Sequence, residues 1–491
     1  MREVEELPLT LAAHAPGPER PLPFSRLTAF SLPGLPLAAM VVVFGVYLPR
    51  FYVSLGADFL AVAGAISAVR FFDVWLDPFL GVAMDRTRTP LGRYRPWLIL
   101  GAPVAMFGTW KLLNPPHDPS ASYLIVWLLV AYAGVSMITL VLAAWSAALS
   151  PSYDGRSRIY GVTQGLAVLG SVSLLLLPLL THGAVVLGKA ASMPVVAMIL
   201  VVSIPIATLI CALLTPDRGG AAPPAQTRLR PMDFIRALSN GSLMRVVLAD
   251  LVLTLGPGTT APLYVYFFHE AKGFTTAEVS FLLIFYIGAG LVGAPFWGRI
   301  AQRFGKHRTV QIACVAYALS QTALMVLPRV WPGHSLAQTL PTAFGMTCVG
   351  FCASAFLLLI RAMVADVVDE ERLAKGVDMT SVFFSLVTTT TKIGTVITVV
   401  IVFPILKAVG FDGREGAVNT PHAIFGLEMC YLFAPIILVG VGGLLFFGYK
   451  LDAKRHGAIR AALDARDAEL SLAAAEESLL GAASLAPHPG E

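Results

Sequence analysis

Two aspartates in the apolar stretch RFFDVWLDPFLG have the spacing and surroundings of an ion site. Asp73 and Asp77 are four residues apart, so a helix places both carboxylates on one face, one turn apart. Burying an ionised carboxylate is unfavourable unless it is paired. Two neighbouring carboxylates both ionise only when a positive charge lies between them; otherwise one takes a proton. The pair therefore requires one positive charge, and Na⁺, Li⁺ and H⁺ all satisfy it.

The composition places these residues in a lipid bilayer. The chain has 491 residues, of which 56% are hydrophobic and 13% are charged, whereas about a quarter are charged in soluble domains. The mean hydropathy is +0.74. The five cysteines lie in apolar segments without metal-like spacing and are interpreted as small core residues. These features predict an integral membrane protein.

Apolar runs predict the spans, because a helix needs about 20 apolar residues to cross the hydrocarbon. Twelve runs lie at 28–50, 59–84, 96–113, 121–150, 158–181, 192–214, 243–268, 277–302, 308–328, 340–367, 377–407 and 422–450. The short alternating segments of a membrane barrel are absent from the sequence. The predicted class is an all-α membrane protein with twelve transmembrane helices.

Charge and composition predict the orientation and the domain boundaries. Lys and Arg concentrate in the even-numbered loops, which places both termini in the cytoplasm of a multi-pass protein of the bacterial inner membrane. The linker TPDRGGAAPPAQTRLRPMD divides the spans six and six. The predicted parts are a cytoplasmic tail at 1–26, a first bundle at 27–214, a linker at 215–240, a second bundle at 241–450, and an amphipathic cytoplasmic helix with a tail at 451–491.

A repeated loop supports two pseudo-symmetric halves. Residues 81–95 (GVAMDRTRTPLGRYR) follow the second span of the first half, and residues 298–308 (GRIAQRFGKHR) follow the second span of the other half. Both copies resemble the loop signature of the major facilitator superfamily. The resemblance implies two six-helix bundles related by an axis along the membrane normal.

Residues 70–97, RFFDVWLDPFLGVAMDRTRTPLGRYRPW, resemble a narrower group, the glycoside–pentoside–hexuronide:cation symporter family (melibiose permease-like). A Trp-Ser pair at 145–146, the charged loop that follows it, the segment MVADVVD at 363–369 and Lys392 in LVTTTTKIGT fit the same pattern. The resemblance therefore covers both halves.

This resemblance implies that Asp73 and Asp77 form the coupling-cation site, and that Lys392 reaches the same cavity and pairs with an unloaded carboxylate. In a sodium-coupled protein, the two carboxylates would ligate Na⁺. A structural alternative remains open, in which the aspartates form salt bridges with Arg70 and Lys392 and hold the halves together.

The sugar-binding positions of the family differ in this chain. The family's acids in spans one and four and its arginine in span five fall near Leu37, Val141 and Leu166, which predicts a more apolar pocket. The remaining polar candidates for solute binding are Tyr47, Trp145, Ser146, Gln164, Thr388 and Thr391. The sequence leaves the roles of Asp250 and Glu428 open.

The cytoplasmic charges predict a gate between the halves. Ion pairs across the inner mouth would close it when the protein opens outward. The candidates are Asp85, Arg86, Arg156 and Arg158 from the first half, and Asp366 and Asp369 from the second. Simple topology and contact with lipid headgroups are the alternative explanation of these charges.

The sequence thus predicts a cation-coupled symporter of a small organic solute, sugar-like or glycoside-like by family, working by alternating access. The alternatives are a symporter of lysolipids or other amphiphiles and an uncoupled facilitator. Enzyme motifs are absent from the sequence. The expected partners are the solute, a monovalent cation (Na⁺ or H⁺) and the bilayer, without a cofactor or nucleic acid, and the chain is expected to be a monomer.

Overall fold

A computed structural model describes residues 23–87, 89–149, 153–216, 239–330, 336–375, 380–414, 417–452, 454–466 and 468–469. The side chains of Asp85 and Arg156 lie outside this description. So do most of the predicted N-terminal tail and linker, and the end of the C-terminal tail.

Long helices make up nearly all of the described chain, and we number them in chain order. They are α1 Phe24–Ser54, α2 Phe59–Arg86, α3 Arg95–Leu113, α4 Ala121–Leu149, α5 Tyr153–Leu175, α6 Met193–Leu214, α7 Gly241–Ala271, α8 Thr276–Phe304, α9 Lys306–Val330, α10 Leu336–Lys375, α11 Thr380–Ala408, α12 Pro421–Leu444 and α13 at 454–466.

Within the described residues, eleven helices have the length and hydropathy of a membrane span. The fifth predicted span, at 158–181, corresponds to α5, which is not among the eleven. Its first turns carry charged and polar residues, among them the exposed Arg158 and Gln164, and the helix packs against α1 and α8. The prediction for α10 was too short: this helix runs 40 residues and ends in the charged segment DEERLAK.

The packing repeats with a period of six helices. In the first half α1 contacts α5 and α6, α2 contacts α4, and α3 contacts α4 and α6. Each of these contacts recurs in the second half between the helices numbered six higher. The described structure thus has the two pseudo-symmetric bundles that the repeated loop indicates.

Small residues allow the helices to approach closely. A Cβ added to Gly108 on α3 would lie 2.7 Å from the Ala131 Cα on α4, so the two backbones are in direct contact. Lipid is as apolar as leucine, so close packing of this kind stabilises membrane helices where the hydrophobic effect contributes little.

The halves meet through two symmetry-related pairs of helices, α2 with α11 and α5 with α8, and through the contact of α1 with α7. We call the side of the bundle where α1 begins and α12 ends the terminal face, and the other side the opposite face. Both α1 and α7 contain a π-helical turn near the opposite face, at Val43–Tyr47 and Phe267–Ala271. Such turns are frequent at functional sites.

Candidate ion and solute site

Three charged side chains meet in the interior, where α2 contacts α11. The Lys392 Nζ atom lies 2.8 Å from Asp73 Oδ2 and 2.5 Å from Asp77 Oδ2. Asp73 is only 9% exposed. The structure therefore brings together the two aspartates of one half and the lysine of the other, across more than 300 residues of sequence.

Two polar features complete this cluster. Ser136 on α4 donates a hydrogen bond to Asp73 Oδ1 at 2.9 Å, a contact that sequence reasoning missed, because nothing near Ser136 in the sequence marks it. Asp77 Oδ1 is buried and has no hydrogen-bond partner among the described residues. One carboxylate oxygen is thus satisfied by a hydroxyl, and another is left without a donor.

In the structural alternative, Asp73 and Asp77 form salt bridges with Arg70 and Lys392; the described part of the structure contains those with Lys392 but not those with Arg70. Among the described residues Arg70 makes no ion pair with either aspartate; its guanidinium lies 5.9 Å from the centre of the Tyr132 ring. Two carboxylates facing one ammonium leave one negative charge to be neutralised. The cluster can therefore take one more positive charge.

The oxygen atoms around the aspartates suit a small hard cation. The described residues contain no group of three or more His, Cys, Asp or Glu side chains arranged for a metal ion, so an ion here would need hydroxyl or carbonyl oxygens as well. The unpartnered Asp77 Oδ1 is one oxygen available to an ion. Pro78 has no N–H, so the Val74 carbonyl, four residues earlier, lacks its helical hydrogen bond and is a second available oxygen.

The residues predicted to bind solute lie in three different settings. Tyr47 is buried, and its Oη lies 3.0 Å from Ser280 Oγ, in the contact between the halves. Trp145 is 1% exposed and stacks on Tyr94, with ring centroids 5.7 Å apart. Ser146 is also buried and donates to the Ala143 carbonyl at 2.7 Å. In this conformation these three side chains form packing contacts and do not line an open cavity.

The other predicted solute residues are accessible. Gln164 and Thr388 are exposed, and Thr388 Oγ1 accepts a hydrogen bond from Arg361 at 3.2 Å. Thr391 donates to Asp250 Oδ2 at 2.8 Å. Asp250, which the sequence left open, is therefore linked directly to the helix that carries Lys392.

The opposite face is closed by contacts between the halves. Arg50 on α1 lies 3.3 Å from Glu270 on α7. The Phe59 ring on α2 lies 4.5 Å from the Phe403 ring on α11. Together with the bond between Tyr47 and Ser280, these contacts form what we call the opposite-face latch.

At the terminal face the predicted gate acids have partners in the second half and in the helix α13 that follows it. Asp366 pairs with Lys306 at 2.5 Å. Asp369 pairs with His456 at 3.1 Å and Arg460 at 3.4 Å, both on α13. Arg86 and Arg158 are exposed, and among the described residues no ion pair joins the two halves at this face. Arg86 and Arg158 are therefore not paired with Asp366 or Asp369 in this conformation, and the predicted pairs of Asp85 and Arg156 lie outside the described side chains.

Comparison with known proteins agrees with this architecture. Residues 29–453 match the family model described as MFS/sugar transport protein. The chain is 26% identical over 446 residues to the isoprimeverose transporter of Lactiplantibacillus pentosus, covering 88% of this chain and 89% of that one. It is 25% identical over 451 residues to the human sodium-dependent lysophosphatidylcholine symporter 1, covering 83% and 80%.

Among solved structures, the crystal structure of the nucleoside transporter NupG superimposes with a TM-score of 0.62 at 14% identity, over 86% of this chain and 97% of that one. This likeness concerns the fold. With the family match over most of the chain, the repeated packing of the two halves and the residues around Asp73, it shows that the chain is a transporter of the major facilitator superfamily and belongs to its MFS/sugar transport family, within the glycoside–pentoside–hexuronide:cation symporter group.

Proposed function

We propose that this protein is a secondary active transporter that couples the uptake of a small sugar or glycoside to Na⁺ or H⁺. The observation that carries the proposal is the cluster of Asp73, Asp77 and Lys392. It joins the two halves at the middle of their contact, so its charge state bears on how the halves pack. The sugar-transport family and the isoprimeverose transporter among the relatives support the class of solute.

In this proposal the Lys392 ammonium and the coupling cation take turns as the main partner of the two aspartate carboxylates. In the conformation described here its ammonium lies between the carboxylates. A cation bound by Asp77 Oδ1 and the neighbouring oxygens would weaken the hold of the aspartates on Lys392, which belongs to the other half. Loading the ion site thereby changes the relative stability of the two arrangements of the halves.

Access alternates between the two faces. We propose that the termini are cytoplasmic, so the latched opposite face is the outer one and this conformation opens inward. In the outward-open conformation the latch between Arg50 and Glu270 separates, and Asp366 and Asp369 exchange their present partners for Arg156 and Arg158. A gate of this kind works through the difference in ion pairing between the two states.

Charge reversal tests the gate. We expect Arg158→Glu to lower transport about fivefold, because repulsion of about 1 kcal/mol disfavours closure of the terminal face. Uptake into proteoliposomes measures the loss. Asp369→Arg in the same chain should restore part of the activity by reversing the pair.

A matched control separates gating from a general effect of charge. Arg308 is exposed at the start of α9, on the same face, and Arg308→Glu should leave transport unchanged. An equal loss in this control, or no rescue of Arg158→Glu by Asp366→Arg or Asp369→Arg, would contradict the gate.

Dependence on an ion gradient tests coupling itself. We expect purified protein in liposomes to accumulate isoprimeverose only when an inward Na⁺ or H⁺ gradient is imposed. For one ion per solute, a tenfold gradient supports at most about tenfold accumulation, because both ratios are worth ~1.4 kcal/mol. An ionophore that dissipates the gradient is the control. Equilibration without accumulation under both gradients would identify an uncoupled facilitator.

A lysolipid or other amphiphile is the second candidate for the solute. The positions of the family's sugar-binding acids carry Leu37 and Val141, which are buried among apolar side chains. One of the relatives is a sodium-dependent lysophosphatidylcholine symporter. Uptake of lysophosphatidylcholine in the same liposomes, with no uptake of sugars, would favour this candidate.

A further inference from the structure

A buried carboxylate outside the ion cluster faces a small cavity in the second half. Asp250 on α7 is 4% exposed. Its Oδ2 atom accepts one hydrogen bond, from Thr391 at 2.8 Å, and Asp250 makes no ion pair with any described residue. The cavity beside it has a volume of about 220 Å³. Its lining includes Asp250, Thr254, Pro257, Tyr286, Phe356 and Thr391.

The chemistry of this cavity is incomplete without a donor. An ionised carboxylate has room for about four hydrogen bonds, and removing it from water is unfavourable unless donors replace the water. Thr391 supplies one such bond. The rest of the lining is largely aliphatic and aromatic, with further hydroxyls on Thr254 and Tyr286. A ligand that fits must carry hydrogen-bond donors on one side and an apolar face on the other.

A sugar ring has both features. Adjacent hydroxyls can donate to the two carboxylate oxygens, and the C–H face of the ring can pack against the Tyr286 and Phe356 rings. The volume is below the ~300–1,000 Å³ typical of pockets for drug-sized ligands, so it suits one ring of a glycoside. Asp250 would repel a phosphate but attract the quaternary ammonium of a choline headgroup, so lysophosphatidylcholine is kept as an outcome of the test below.

We propose that this cavity, which we call the Asp250 subsite, binds one sugar ring of the transported solute, with Asp250 as the acceptor for its hydroxyls. The assignment rests on the sugar symport proposed above. It supplies an acidic anchor in the second half, whereas the first half carries Leu37 and Val141 at the family's acidic positions.

The position of the subsite links it to the ion cluster. Thr391 touches Asp250, and the next residue on α11, Lys392, touches Asp73 and Asp77. A sugar ring bound at Asp250 therefore contacts the same turn of α11 that carries Lys392, whose bonds to the aspartates a bound cation would weaken. Occupying one site changes the position of the side chain that the other site uses, which is how two ligands become mutually dependent.

Two isosteric substitutions test the subsite. Asp250→Asn removes the charge and keeps the shape, and Thr391→Val removes the hydroxyl that orients the carboxylate. With purified protein in saturating NaCl, titration calorimetry against isoprimeverose, D-xylose and a phenyl glucuronide should show the Kd of the best ligand rising about 10- to 100-fold in Asp250→Asn. That range corresponds to loss of a hydrogen bond to a charged acceptor. Thr391→Ser should restore the affinity lost in Thr391→Val.

The neighbouring threonine is the matched control. Thr390 donates its hydroxyl to the Leu386 carbonyl at 2.8 Å, away from Asp250, so Thr390→Val should leave the sugar Kd unchanged. The Na⁺ affinity, measured separately by the rise in melting temperature with NaCl, should be the same in Asp250→Asn and the wild type. This second readout also shows that the variant is folded.

The outcomes separate the subsite from the transport proposal. If the wild type binds a sugar and Asp250→Asn binds it equally well, the subsite is wrong and the symport proposal stands. A parallel loss of Na⁺ affinity in Asp250→Asn would place Asp250 in the ion site and overturn the subsite. If the wild type binds lysophosphatidylcholine and none of the sugars, both the subsite and the sugar as cargo fail, while coupling to Na⁺ is judged by the gradient experiment alone.

Discussion

Transporters carrying Asp73→Asn or Asp77→Asn are expected to lose accumulation of solute against its gradient, while exchange of solute between the two sides continues. In the wild type, two carboxylates and the Lys392 ammonium leave one negative charge that a cation must neutralise. With one asparagine, the remaining carboxylate and the Lys392 ammonium neutralise each other, so the site no longer requires an ion. Coupling between close opposite charges is worth about 1.5–7 kcal/mol, so losing one carboxylate should lower cation affinity at least ~10-fold.

Uptake and exchange are measured in the same proteoliposomes, with an imposed gradient for the first and equal ion concentrations for the second. Asp58→Asn is the matched control, since Asp58 caps the same helix α2 at its exposed start and asparagine caps equally well. Full accumulation by both Asp73→Asn and Asp77→Asn would remove the ion site from the proposal. Loss of exchange as well as accumulation in both variants would indicate the structural role in place of coupling.

The second large effect is expected at a buried ion pair near the opposite face. Lys272 Nζ lies 2.5 Å from Glu428 Oε1, and the two side chains are 4% and 9% exposed. Glu428→Leu alone leaves the buried ammonium without this partner and should lower the free energy of unfolding by about 3–5 kcal/mol. The double variant Lys272→Met/Glu428→Leu removes both charges of this pair and should recover most of that loss.

Denaturation of the purified variants in one detergent measures both effects, and transport by the double variant answers a second question. If Glu428 were a site for the coupling proton, the double variant would fail to accumulate solute although it is stable. We expect it to accumulate solute normally, because the pair lies in the second half, apart from the cluster around Asp73. A single variant as stable as the wild type would contradict the structural role of the pair.

Much of the architecture follows from the sequence alone. In a bilayer every backbone polar group must find a partner within the protein, so long apolar runs can only be helices, and hydropathy locates them. α5 does not meet the hydropathy criterion because its first turns carry charged and polar residues, including the exposed Arg158 and Gln164. The spacing of Asp73 and Asp77 likewise predicts one shared site, because it depends only on the geometry of a single helix.

The tertiary structure alone decided which distant groups meet. Lipid and the protein interior are equally apolar, so hydropathy does not distinguish a side chain facing a cavity from one packed in the core. In this conformation the fold packs the predicted solute residues Trp145 and Tyr47 against Tyr94 and Ser280, and their role in solute binding stays a prediction. The partners of Asp369 and the contact of Asp250 with Thr391 depend on how separate helices dock. The sequence specifies which residues are charged. Which charges form pairs depends on the distances between helices, and those distances are set only when the two halves pack.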